Sequence, residues 1–151
     1  MTEFVVAGAG FLLAVVWFDL MFDVQVLRHR GRAELPEDVL ASIAAYYGRV
    51  TTAARPMNRL VGIVMLATLA TIVVQLADGD TPRWVAAASL ALAGLAVLVA
   101  ATRTFRRAVR LGARTDSPAI QSRLARSICT DHLLCLAALA ALLTLQLGFA
   151  G

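Results

Sequence analysis

The sequence predicts an all-α integral membrane protein, an up-down four-helix bundle whose helices extend into the cytoplasm. Of its 151 residues, 60% are hydrophobic and the mean hydropathy is +0.76, which is too apolar for an ordinary soluble domain. Charged residues make up 16% and collect in two blocks between long apolar runs. Four of these runs reach the length of about 20 residues that a membrane-spanning helix needs.

The spans and their connections form one predicted transmembrane domain, residues 1–151. The spans lie at about residues 4–27, 58–77, 83–102 and 127–148. Asp78-Gly79-Asp80-Thr81-Pro82 alone joins the second to the third, so we expect a tight hairpin there. The other connections, about residues 28–57 and 103–126, are long and rich in arginine. Because positive loops stay inside, they should face the cytoplasm and leave both termini outside.

The first long connection contains signals for a helix of its own. Pro36 is followed by two acidic residues, which suit the start of a helix. An amphipathic stretch then runs towards Pro56 and includes the adjacent Tyr46 and Tyr47. We expect this helix to lie on the membrane surface or to enter the second span with a kink. The tyrosine pair is most simply an interfacial anchor.

The second long connection contains a stop signal and a start signal. Gly112 is a predicted end of the third helix. Ser117 suits an N-cap and Pro118 the first position of the fourth helix. The fourth helix should therefore begin about ten residues before it enters the membrane.

Two aspartates lie inside the first span. An ionised carboxylate at the centre of a membrane helix costs about 2.5–3.5 kcal/mol, so it needs a partner, a place near the interface or a function. At 1.5 Å per residue, Asp19 lies about 22 Å into a core about 30 Å thick, and Asp23 falls near its cytoplasmic boundary. Since they are four residues apart, they share one helix face.

Polar side chains of the other spans fall at the same depth. We take six residues as a candidate ligand-binding set: Asp19, Asp23, Asn58, Arg59, Arg103 and His132. Asp131 stands beside His132 and is a further candidate. Gln75 and Gln146 lie at the opposite end and are expected to be ordinary interfacial residues.

Three interpretations of this layer remain open. Arg59 or Arg103 could neutralise the aspartates in an ion-pair network that fixes the bundle geometry. The layer could instead form a polar pocket for an organic ligand or a transported species. Asp19, Asp23 and His132 could also hold a divalent metal. Haem is not expected as a cofactor, because His29, the second histidine, lies in a loop.

Composition and charge also predict location and partners. All fourteen basic residues are arginine, and abundant Ala, Leu and Val suggest a bacterial protein of the inner membrane. The arginine-rich connections suit the lipid bilayer and anionic lipid headgroups at the cytoplasmic face, and we do not expect a nucleic-acid partner. A homo-oligomer is expected, because four helices are few for a private transport pathway.

The layout resembles that of known small membrane proteins. The first helix ends in Trp17-Phe18-Asp19-Leu20-Met21-Phe22, the outer hairpin is short, and two connections are basic. In these features the chain resembles small four-helix bacterial proteins of the copper-resistance D type, the J-type protoporphyrinogen oxidases and the anthrone-oxygenase-like family. The J-type oxidases use a membrane histidine and lysine, which this first span does not contain.

A second resemblance concerns the second span. Arg55, Asn58 and Arg59 are similar to part of the Arg/Asn/Glu signature of the eicosanoid and glutathione membrane enzymes. No glutamate follows in that span, so the resemblance implies no catalytic residue.

The predicted function is that of a bacterial inner-membrane protein with an acidic and basic pocket in the cytoplasmic leaflet, which binds or transports a small cation or polar ligand. One alternative is a membrane-embedded enzyme, oxidoreductase-like, that acts on a lipophilic substrate or quinone. His132 and Asp19 would then serve as acid and base. Another alternative is a structural or accessory subunit of a membrane complex. Whether the protein is an enzyme is left open.

Overall fold

The computed structural model describes residues 1–79 and 81–150, apart from the side chain of Arg55. Asp80 of the predicted hairpin and Gly151 lie outside the described residues. Every regular element in this part of the chain is helical: α1 Thr2–Asp23, α2 Glu37–Thr52, α3 Arg55–Asp78, α4 Arg83–Val99, α5 Phe105–Ala113 and α6 Pro118–Phe149. A 3₁₀ segment, Val24–His29, extends α1, and a π-helical turn, Ala100–Thr104, joins α4 to α5.

Helices α1, α3, α4 and α6 form the bundle, and the predicted all-α fold is confirmed. Within residues 1–79 and 81–150, four continuous helical stretches are long and apolar enough to cross a membrane: Thr2–His29, Pro56–Asp78, Arg83–Ala113 and Pro118–Phe149. Within the bundle, α1 packs on α3, α3 on α4 and α4 on α6, and α6 packs in turn on α1. At 32 residues, α6 is about 48 Å long and exceeds a hydrocarbon core of about 30 Å.

The start signals of the connections coincide with helix starts. Pro36 immediately precedes α2, and Ser117 is the N-cap of α6, whose first residue is Pro118. The stop predicted at Gly112 agrees to within one residue with the end of α5 at Ala113.

Helix α2 packs on the arginine-rich end of the bundle, mainly against α5 and α6. Its buried face contains Leu40, Ile43, Ala44 and Tyr47, at the spacing of one helix stripe. Ala53 and Ala54 separate α2 from α3, so the two do not form one straight helix. The apolar face of α2 is therefore buried against other helices of the protein.

The crossing of α2 over α5 depends on two glycines. A Cβ added at Gly112 would lie 2.7 Å from the backbone nitrogen of Gly48. The reverse substitution has room, because a Cβ at Gly48 would lie 3.5 Å from the carbonyl oxygen of Gly112. Gly112 thus permits close approach of two helix backbones.

Two apolar clusters flank the polar layer. One lies among the four spanning helices and includes Leu12, Ile72 and Leu139. The other lies at the arginine-rich end and includes Ile43, Leu111 and Ile128. Asp19 of α1 and His132 of α6 fall between these clusters along their helices, and Asp23 follows one turn after Asp19, within the cluster at the arginine-rich end.

Candidate functional site

Asp23 is the centre of a buried hydrogen-bonded cluster. Its side chain is fully buried, and its Oδ2 lies 2.6 Å from Nδ1 of His132. The hydroxyl of Tyr47 donates to its other oxygen, Oδ1, at 2.7 Å. The carboxylate therefore joins α1 to both α2 and α6, and both of its oxygens have partners.

Asp19 forms the second half of the cluster, one helical turn away. The hydroxyl of Tyr46 donates to its Oδ1 at 2.5 Å. Its Oδ2 lies 3.6 Å from Nε2 of His132, so the two nitrogens of that imidazole face two different carboxylates. The ring of Tyr46 is stacked on Phe22, with ring centroids 4.1 Å apart.

The two tyrosines act as hydrogen-bond donors and remain protonated. Burial raises the pKa of Tyr47 above its ordinary value, and the charges of Asp23 and Asp19 raise it further. Burial also raises the pKa of Tyr46, and its hydrogen bond to Asp19 adds to the effect. Both hydroxyls thus keep the proton that a carboxylate acceptor requires.

Asp131 belongs to a separate ion-pair group on the next face of α6. Its side chain is only 3% exposed, and its Oδ2 accepts a hydrogen bond of 2.7 Å from Arg107. Arg103 lies 3.4 Å from Oδ1, and the hydroxyl of Thr104 lies 3.4 Å from Oδ2. This carboxylate joins α6 to α5 and to the π-helical turn that precedes α5.

The structure brings together only part of the predicted set. Asp19, Asp23 and His132 meet directly. Arg103 pairs with Asp131 instead. Asn58 donates to the carbonyl of Val50, and the exposed Arg59 makes no ion pair within the described ranges. The arginines do not pair with Asp19 and Asp23 because the rotation of α1 about its axis turns these aspartates towards α2 and α6. Their partners there are tyrosine and histidine side chains.

Sequence reasoning missed the tyrosines. Tyr46 and Tyr47 looked like an interfacial anchor, but they supply the hydroxyl donors to both aspartates. A signal was present, since Tyr47 continues the apolar stripe of α2 and must therefore face the protein. The stripe did not indicate which carboxylate the Tyr47 hydroxyl would contact.

Metal binding by Asp19, Asp23 and His132 stays a prediction, and the geometry adds nothing to it. Both oxygens of Asp23 already have protein partners. In residues 1–79 and 81–150, no group of three or more His, Cys, Asp and Glu side chains could hold a metal ion.

Two cavities adjoin the cluster. One of about 100 Å³ lies among the spanning helices and is lined mostly by apolar side chains, with Asp19 and His132 in its wall. The other, of about 340 Å³, is bounded by α1, α2, α3, the α4–α5 turn and the start of α5, with His132 contributed by α6. Asp19, His132 and both tyrosines line it, and exposed Phe18 and Met57 lie at its edge.

The opposite end of the bundle has its own polar network. Gln75 and Gln146 exchange hydrogen bonds between their amides at 3.2 and 3.3 Å, and Gln146 donates to the Ser89 hydroxyl at 2.9 Å. Both glutamines are almost fully buried. Their interpretation as ordinary interfacial residues was wrong, because each helix turns its glutamine towards the bundle axis.

Comparison with protein-family models identifies a match to the chain. A family model described as SHR3 chaperone, ER membrane protein SH3, matches residues 1–150. Searches of curated proteins and of solved structures found no match.

This match corrects several expectations from the sequence. The resemblance to small four-helix bacterial proteins was wrong, because the matching model describes a chaperone. A bacterial origin and an inner-membrane location were wrong, because the family is one of the endoplasmic reticulum membrane. The main functional prediction, a bacterial protein that binds or transports a small cation or polar ligand, was also wrong. The accessory-subunit alternative is closer to a chaperone. The protein is a membrane protein, as predicted.

Proposed function

The chain belongs to the SHR3 chaperone family, and we propose from this membership that it is a membrane-embedded chaperone of the endoplasmic reticulum. Its clients would be polytopic transporters, specifically amino-acid permeases, whose export from that membrane it assists. The observation on which the proposal rests is the match of the family model to residues 1–150.

The polar layer suits a chaperone whose helices keep one fixed arrangement. Asp23, Tyr47 and His132 tie three helices together, and their polar atoms bond to one another. Asp131 joins α6 to α5 and to the turn before it in the same way. Such networks favour one arrangement of the helices, which a chaperone needs if it is to offer a constant surface to unfinished clients.

The outward surface suits contact with a client's membrane helices. Large apolar side chains are exposed on α1 and α3, including Trp17, Phe18, Ile63 and Leu66. Phe18 also lies at the edge of the larger cavity, between α1 and α3. Within a bilayer, helix association depends on close packing and on interhelical hydrogen bonds. This cavity would offer a client helix apolar side chains at its edge and the polar groups of the Asp19 and His132 cluster in its wall.

A genetic and biochemical experiment tests the proposal. Cells that lack the chain should retain amino-acid permeases in the endoplasmic reticulum and lose amino-acid uptake. Full-length tagged chain should co-purify with the newly made permease from that membrane. A single-span protein that follows the same export route is the matched control and should reach the cell surface in both strains. Normal permease export without the chain would contradict the proposal.

A crosslinking experiment locates the client surface. A photo-reactive residue replacing Phe18, which is 63% exposed, should crosslink to the permease. The same residue replacing the fully buried Leu142 should not, because α6 turns that position into the bundle. Equal crosslinking from both positions would contradict a client site beside Phe18.

A homo-oligomer also stays a prediction. Outward apolar side chains could serve contacts between copies as well as contacts with a client. The mass of the purified chain in detergent, measured by light scattering without a client, distinguishes a monomer from a homo-oligomer.

A further inference from the structure

A basic groove lies between α5 and the first turns of α6, away from the aspartate cluster. Its volume is about 450 Å³, and it is lined by Arg107, Arg110, Ile120, Arg123, Leu124 and Ser127. Three guanidinium groups therefore share one concave surface with a hydroxyl and two aliphatic side chains. Neither the family match nor the proposed chaperone activity assigns a role to it.

Positive charge in this groove exceeds the acidic charge beside it. Arg107 uses Nη1 on Asp131, and Arg110 uses Nε and Nη2 on Asp116. Once Arg123 is included, the three guanidiniums of the groove lie beside two carboxylates, and Asp131 also pairs with Arg103 outside the groove. In the described part of the chain, Arg123 and the Ser127 hydroxyl form no hydrogen bond with another group. The groove thus has donors available for an anion.

The groove lies at the depth of lipid headgroups. Trp84 and Phe149 meet edge to face at the opposite end of the bundle, with ring centroids 5.5 Å apart, as aromatic residues do at an interface. From Phe149, α6 runs without interruption back to Arg123, a rise of about 39 Å at 1.5 Å per residue. A bilayer with its headgroups is about 40–45 Å thick, so Arg123 falls in the opposite headgroup layer.

We propose that Arg107, Arg110 and Arg123 bind the phosphate of an anionic phospholipid in the groove between α5 and α6. The planar guanidinium fork matches phosphate oxygens in two parallel hydrogen bonds. The Ser127 hydroxyl adds a neutral donor, and Ile120 and Leu124 border the groove where the start of an acyl chain would pass. A free phosphate ion would use the arginines but not this apolar border. The site does not depend on the identity of any client.

Lipid binding in detergent tests this site, because the general attraction of arginines to a negatively charged membrane surface is absent there. Purified full-length chain is titrated with phosphatidic acid, phosphatidylcholine or inorganic phosphate, and bound molecules are counted by native mass spectrometry. We expect phosphatidic acid to bind and phosphatidylcholine to bind more weakly. Arg123→Gln should weaken phosphatidic acid binding about tenfold, the equivalent of one charge-assisted hydrogen bond. Arg123→Lys should bind at an intermediate level, because it keeps the charge but loses the fork.

Arg106→Gln is the matched control, since Arg106 is exposed on the same helix as Arg107 but does not line the groove. It should bind phosphatidic acid like the unchanged chain. Equal losses in Arg106→Gln and Arg123→Gln would overturn the proposal, because the effect would then be one of net charge. Full displacement of the lipid by millimolar inorganic phosphate would overturn the lipid assignment in favour of a free-anion site. Unchanged melting temperatures of the two variants establish that both are folded.

Discussion

Nδ1 of His132 lies 2.6 Å from Oδ2 of Asp23, a buried hydrogen bond between the last helix of the chain and the first. Tyr47 of α2 donates to the other oxygen of the same carboxylate at 2.7 Å. Buried charged groups are tolerated when they are paired and fully hydrogen-bonded, and here one carboxylate receives two donors from two helices. The pairing joins parts of the chain that are far apart in sequence.

We expect Asp23→Ala to destabilise the protein by about 3–5 kcal/mol, because it leaves a buried imidazole and a buried hydroxyl without their acceptor. Tyr47→Phe should cost about 1–3 kcal/mol, since Asp23 keeps its contact with His132. Both losses in the free energy of unfolding can be measured by denaturant unfolding in detergent. Glu34→Ala, at an exposed loop position, is the control and should stay within about 0.5 kcal/mol of the unchanged chain. Equal stability of Asp23→Ala and Glu34→Ala would refute a stabilising role for the cluster.

Stability should fall at alkaline pH because of the tyrosines. The folded chain raises the pKa of Tyr46 and Tyr47 above their ordinary value of 10.0. The folded state therefore binds these protons more tightly than the unfolded state does. The tyrosines' contribution is fully present below about pH 10 and is lost as the pH rises further.

The double variant Tyr46→Phe, Tyr47→Phe tests this pH dependence. Its free energy of unfolding should be lower at neutral pH, and it should fall less steeply above pH 10.0 than that of the unchanged chain. The chain contains no lysine, so few other groups titrate in this range. Parallel curves for the two proteins would exclude the tyrosines as the cause.

Substitutions at the glycine crossing should have unequal effects. Gly112→Ala places a Cβ 2.7 Å from the nitrogen of Gly48, which is rigid backbone, so we expect a loss of about 1–3 kcal/mol. Gly48→Ala meets only an ordinary contact at 3.5 Å and should be nearly neutral. Gly62→Ala, with no atom within 4 Å, should stabilise its helix by about 0.4–1 kcal/mol. Thermal unfolding of the three variants compares them, and a neutral Gly112→Ala would mean that α2 and α5 cross less closely.

The glutamine pair should show strong coupling between its members. Gln146→Leu removes both hydrogen bonds with the amide of Gln75 and the bond to the Ser89 hydroxyl, at a cost of about 1–3 kcal/mol, and leaves Gln75 only its bond to the Thr2 hydroxyl. The double variant Gln75→Leu, Gln146→Leu removes both amides and should cost less than the sum of the single variants. Thr144→Ala is a control, because Thr144 is exposed and bonds only within its own helix. Additive losses in the double-mutant cycle would argue against the pairing.

The sequence by itself determined the helices and their polar layer. Apolar length and the arginine blocks predicted four spans, and Pro36, Ser117 and Pro118 marked helix starts that the structure has. Depth counting placed Asp19, Asp23 and His132 at one level, and they do meet. These features are local, since hydropathy, capping and rise per residue act within one helix.

Only the tertiary structure decided which side chains pair. Arg103 pairs with Asp131 and not with the aspartates of α1. Tyr46 and Tyr47 donate to the two carboxylates that Arg59 or Arg103 would have neutralised in one of the three interpretations. Gly112 lies at the end of its helix, as its local signal indicated, but that signal did not reveal that it also allows two helices to cross closely. The physical reason is that helix periodicity fixes a face within each helix but not its rotation against another. That rotation depends on where two backbones can approach, as they do at Gly112, and no single helix contains this information.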